Sequence, residues 1–132
     1  MTASVSALVS AARQRIREVS AGGVQAMDPA GYVLIDVREP AEYATGHLSG
    51  AINLPRGVLE FQIHAHPAMA CTTSDALAAR DRPLLLYCLS GGRAALAADS
   101  LQQLGFSQVS SLAGGITAWR EAGLTVTPGS TD

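Results

Sequence analysis

Pro83-Leu84-Leu85-Leu86-Tyr87 is an apolar run without alternation. A strand with one face in water alternates apolar and polar residues, and a strand covered on both faces does not. The run therefore reads as a strand buried on both sides, the situation of a parallel sheet with helices above and below it. Tyr32 to Val37, Ala51 to Leu54 and Val109 to Leu112 are further short strand candidates, and Ile16 to Ser20 is a weaker one. Helical stretches separate them. Val5, Leu8, Val9, Ala12, Ile16 and Val19 recur at helical spacing, with Ser6, Ser10, Arg13, Gln14 and Arg17 on the opposite face. Ser20 is a candidate N-cap for a short helix through Met27, and Asp28, Pro29 and Gly31 mark a turn.

Pro40 suits the first turn of a helix that Gly46 stops. A helical stretch is expected near Ser74 to Arg80. Ala94, Ala97, Leu101 and Leu104 share one helix face ahead of Gly105, and Gly114-Gly115 opens a helix with Trp119 on its inner face. Strand and helix alternate throughout. The fold class expected is α/β in three layers, a central parallel sheet with helices on both faces. Residues 1–15 are expected to form an amphipathic helix packed on the domain, residues 16–127 the domain itself, and residues 128–132 a frayed tail.

At 132 residues the chain suits one domain with a buried core. The net charge of −2 shows no basic excess of the kind a nucleic-acid binder carries. All nine basic residues are Arg. Without Lys there is no side-chain Schiff base and no Walker-type phosphate loop. Two cysteines, Cys71 and Cys88, make neither an all-Cys zinc site nor a disulfide framework. They read as free thiols in a reducing compartment, the cytoplasm. No apolar stretch approaches the roughly 20 residues needed to span a bilayer, and no targeting signal stands out, so no membrane association is expected.

Chemistry concentrates after the fourth strand. Cys88 ends a buried strand, then come Leu89, Ser90, Gly91 and Gly92, then Arg93 and a helix. Ligands of open α/β sheets bind at the carboxyl ends of strands. A helix start offers unpaired N–H groups and the positive end of a dipole. The two glycines let successive N–H groups turn into one cup, which suits an anion. The simplest anion for it is the Cys88 sulfur, held as a nucleophilic thiolate beside Arg93.

Cys88-Leu89-Ser90-Gly91-Gly92-Arg93 resembles the active-site loop of rhodanese (sulfurtransferase) domains. Ile35 to Tyr43, followed by Gly46 to Pro55, resembles the first signature of that family. Leu112 to Gly115, followed by Ala118-Trp119 and Gly123-Leu124, resembles its C-terminal one. The three motifs stand in the family order across roughly residues 16 to 126. Arg56 to Phe61 resembles a variant found in single-domain members. The resemblance implies a five-stranded parallel sheet and a ping-pong reaction without a cofactor. Cys88 takes the outer sulfur of a small anionic donor such as thiosulfate, and cyanide, a thiol or a protein cysteine accepts it. Arg93 would hold the loop or steer the donor.

Cysteine phosphatases and arsenate reductases have one residue more between Cys and Arg, so the loop length speaks for sulfur transfer. Many active members carry a basic residue directly after the Cys, where this chain has Leu89. That departure raises the alternative of a sulfur-delivery module serving a partner protein. Asp36, Arg38, Glu42 and His47 stand at signature positions, where a hydrogen-bonded structural network is expected. Arg56 and Glu60 either border the pocket, with Arg56 aiding the donor, or form a surface ion pair. Gly114 and Gly115 would lie beside the Cys88 loop and permit close backbone approach. His64, His66 and Cys71 are too sparse for a metal site, and none is expected. A resolving role for Cys71 would require it close to Cys88.

Overall fold

The computed structural model describes residues 4–63 and 80–128. The order is helix α1 (Val5–Arg15), strand β1 (Arg17–Val19), helix α2 (Ala21–Gln25), a 3-10 turn (Pro29–Gly31), strand β2 (Val33–Asp36), helix α3 (Pro40–Ala44), strand β3 (Ile52–Asn53), helix α4 (Leu59–Gln62), strand β4 (Leu84–Tyr87), helix α5 (Gly92–Gln103), strand β5 (Val109–Leu112) and helix α6 (Gly115–Glu121). The five strands form one parallel sheet in the order β1-β5-β4-β2-β3. β1 to β4 are each shorter than the run that announced them, and β5 spans the announced Val109 to Leu112. The expected helix near Ser74 to Arg80 lies almost wholly outside the described residues, as do His64, His66 and Cys71. Among the described residues no helix is long and apolar enough to cross a membrane.

β4 is the middle strand, and all four of its residues are buried. Its side chains alternate between two cores, as pleating requires. Leu84 and Leu86 join Ile35, Leu59, Ile63, Leu101 and Phe106 under α4 and α5. Leu85 and Tyr87 join Val24, Leu48, Leu112 and Ile116 under α2 and α6. Val33 to Asp36 pair in register with Leu84 to Tyr87. From β2 the chain moves outward to β3, whereas from β4 it moves the other way to β5. The carboxyl ends of β2 and β4 thus flank a topological switch point, the place where open α/β sheets leave a crevice.

Local capping explains where helices begin. Ser4 Oγ accepts from Ala7 N–H at 3.0 Å, and Ser20 Oγ accepts from Gly23 N–H at 3.1 Å. Glu39 and Glu42 make a reciprocal capping box at α3, with Pro40 in its first turn. α1 lies on α5. Arg15 donates two bonds to Asp99, at 2.9 and 2.7 Å, and Gln102 Nε2 donates to Arg15 O at 2.9 Å. The apolar stripe read along α1 is wider than its contact. Ala12 is fully buried, but Val5 and Leu8 are 71% and 50% exposed. A helix resting on one other helix, not on the sheet, buries only a narrow seam. Leu104 also departs from its expected inner face, being 38% exposed where Gly105 turns the chain at φ 99°.

Candidate active site

Cys88 follows β4 and is 1% exposed. Gly91 N–H donates to its Sγ at 3.0 Å and Ala94 N–H at 3.4 Å. Gly91 caps α5 with φ 114°, a left-handed conformation that turns its N–H back toward the sulfur. The start of α6 holds the loop from the other side. Ile116 N–H donates to Cys88 O at 2.9 Å, and Thr117 N–H to Leu89 O at 3.1 Å. Gly115, at φ 61°, makes this approach possible, because a Cβ there would sit 2.5 Å from Cys88 O and 2.6 Å from Leu89 O. Gly114 N lies 3.6 Å from where a Cβ on Gly91 would be, so the two glycine loops touch. Leu89 and Ser90 are exposed. The arrangement sets backbone donors around a buried sulfur whose loop opens to solvent, and such donors stabilise negative charge on sulfur.

The expected network of signature residues divides. Arg38 is buried and donates to both oxygens of Asp36, with its Nη2 at 2.7 Å from Oδ2. The same Nη2 donates to Gly46 O at 2.7 Å, and the guanidinium lies 5.8 Å from the Tyr87 ring centre. His47 stacks on Tyr43 at 3.9 Å, with Nδ1 3.2 Å from Tyr43 O. Glu42 does not join the Asp36–Arg38 pair. Its two oxygens take Arg93 Nη1 and Nη2 at 2.7 and 3.0 Å. This grip holds the Glu42 carboxyl down to about 2, with the Glu39 N–H helping and burial opposing. Arg93 is thereby committed to α3, a partnership that spacing alone does not reveal because 51 residues separate the two.

Arg56 donates to Glu60 at 2.9 Å and to Ser100 at 3.2 Å, linking α4 to α5. Among the described residues its Nε has no partner. Trp119 is half-buried and donates to Thr125 O at 2.9 Å. Arg13, placed by periodicity on the outer face of α1, instead reaches the Cys88 loop: a Cβ on Gly91 would lie 3.1 Å from its Nη2. The helical pattern of α1 carries no signal for this, since periodicity groups residues by face and does not show which neighbour a given face meets. Cleft size does not locate the sulfur either. A cleft of about 530 Å³ lined by Arg17, Tyr32, Leu84 and Val109 opens at the amino ends of the strands, the opposite edge of the sheet.

Comparison with known proteins bears on the whole arrangement. The family model for the Rhodanese-like domain matches residues 22–122. Thiosulfate sulfurtransferase GlpE of Stutzerimonas stutzeri is 38% identical over 95 residues, covering 72% of this chain and 76% of that protein. A sulfurtransferase of Allochromatium vinosum is 34% identical over 94 residues, 71% and 77% of the two chains. Among solved structures, one from Rhodopseudomonas palustris, described as of unknown function and a possible tyrosine phosphatase, superposes with TM-score 0.77 at 30% identity over 96% of both chains. With the family model spanning most of its length and relatives above 30% identity aligned through the same region, this chain belongs to the rhodanese-like domain family.

Proposed function

We propose that the chain is a sulfurtransferase that carries a sulfane sulfur on Cys88. The Cys88 thiolate attacks the outer sulfur of a small anionic donor of the thiosulfate type. A sulfur–sulfur bond to Cys88 forms, the donor's own sulfur–sulfur bond breaks, and sulfite leaves with the electron pair. The resulting persulfide keeps its negative charge on the terminal sulfur. Cyanide, a thiolate or a partner protein's cysteine then attacks that sulfur, and Cys88 departs as thiolate. With cyanide the product is thiocyanate. Neither step moves a proton, so no general base is required.

The observation that carries this reading is the pair of N–H donors, from Gly91 and Ala94, aimed at Cys88 Sγ. They stay in place while charge passes from thiolate to persulfide, which is electrostatic preorganisation. Gly114 and Gly115 support the loop, and Asp36, Arg38, Glu42 and His47 brace the β2–α3 side of the crevice. The names of the GlpE relatives favour thiosulfate as donor. A cytoplasmic location fits, because Cys88 must stay reduced between turnovers. The exposed apolar Leu89 beside the sulfur favours a second reading, delivery of the persulfide to a partner protein.

Intact-mass measurement after incubation with thiosulfate tests the proposal. The expected result is a gain of one sulfur atom, absent in Cys88→Ala. Transfer from that loaded protein to cyanide supports the free-standing enzyme, and transfer confined to a protein acceptor supports delivery. No sulfur gain, together with hydrolysis of an aryl phosphate, would replace the proposal with a phosphatase.

A further inference from the structure

Thiosulfate is a dianion and Cys88 reacts as a thiolate, so like charges must approach each other. A cation at the mouth offsets that repulsion. The motif itself leaves none free: Leu89 follows the cysteine, and both terminal nitrogens of Arg93 are held by Glu42. Arg38 is buried against Asp36, and Arg56 is paired with Glu60.

Arg13 is placed differently. Its Nη2 lies 3.1 Å from where a Cβ on Gly91 would be, beside the residue whose N–H holds Cys88 Sγ. One turn earlier, Val9 Cγ2 lies 3.7 Å from a Cβ built on Gly92, so α1 runs along the loop over more than one residue. The Arg13 side chain is 42% exposed, and its Nε sits 3.5 Å from Glu18. That spacing is long for a tight charge-assisted bond, so the ion pair is loose and the guanidinium can serve an incoming anion. α1 precedes the family span that begins at residue 22.

We infer that Arg13 receives the anionic donor at the Cys88 loop and sets the preference for charged over uncharged donors. The inference rests on the sulfurtransferase reading above. It makes a helix outside the family span part of the substrate site, taking the place of the basic residue that Leu89 does not supply.

Steady-state thiosulfate:cyanide kinetics on Arg13→Gln and Arg13→Lys test it. In Arg13→Gln the KM for thiosulfate rises about tenfold, the loss expected for one charge-assisted contact, while kcat stays within about twofold. Arg13→Lys recovers most of the loss, and added salt raises the KM of the wild type more than that of Arg13→Gln. Arg17→Gln removes the same charge at the amino end of β1 and leaves KM unchanged. An unchanged KM in Arg13→Gln, with a wild type that gains sulfur normally, overturns this inference alone. So does a fall in kcat accompanied by a lowered melting temperature, which would mark Arg13 as structural. A wild type that gains no sulfur overturns the functional reading and this inference together.

Discussion

The Cys88 loop has two flanks, each with an arginine, and the two arginines are used in opposite ways. On the α3 flank, Arg93 belongs to the motif and is locked to Glu42 through two short bonds. On the α1 flank, Arg13 stands outside the motif, is more exposed, and among the described residues has a loose ion-pair partner in Glu18. Nearness to the cysteine along the chain therefore does not measure the charge offered to a ligand. Pairing does. A cation gripped by both oxygens of a carboxylate holds structure together, and a cation in a loose ion pair can bind.

The largest effect comes from the base on which both flanks rest. Gly115→Ala would drive a Cβ against Cys88 O and Leu89 O at a left-handed φ of 61°. It should lower stability by roughly 2–4 kcal/mol, from strain plus overpacking, and slow persulfide formation as the loop shifts. Urea unfolding and the rate of mass gain read the two effects. Full activity with unchanged stability would show that the α6 start does not hold the loop.

Arg93→Gln sharpens the contrast between the flanks. It should lower stability by about 1 kcal/mol or less, since the pair is a third exposed, and it should raise the KM for thiosulfate less than Arg13→Gln does. A larger KM increase from Arg93 than from Arg13 would reverse the assignment of the two roles.

The smallest effect is in acid. The Glu42 carboxyl is held near 2 in the folded protein, against an ordinary value of 4.5. A lowered folded value means that the ion pair stabilises the protein fully above about 4.5, and that this contribution is lost as pH falls toward 2. The stability gap between wild type and Glu42→Gln should then be flat at neutral pH and close across that acid window. A gap that stays constant through the window would mean that Arg93 contributes nothing through this carboxylate.

Much of the molecule was legible in the residues. The unbroken apolar run before Cys88 announced a strand buried on both faces, and β4 is the central strand of a parallel sheet. Ser20 and Pro40 marked helix starts because capping and fixed φ act locally. The α1 stripe was less informative. Periodicity shows which residues share a face, but not how wide a seam the neighbouring helix will cover, so Val5 and Leu8 stand exposed. Glu42 was expected in a network with Asp36, Arg38 and His47 because all four stand at signature positions. It is drawn instead to Arg93 across the switch-point crevice.

What the sequence by itself determined is what depends on neighbours along the chain. That covers the alternation of strand and helix, the parallel class of the sheet, and a cysteine followed by a glycine-rich turn into a helix. What only the tertiary structure decided is which charges meet. The Glu42–Arg93 lock spans 51 residues, and Arg13 reaches Gly91 from a helix on the far side of the chain order. Hydrogen-bond capping and hydrophobic periodicity act over a few residues and leave a readable trace. Ion pairing and substrate electrostatics depend on distances in space, which exist only once the sheet has brought the ends of its strands together.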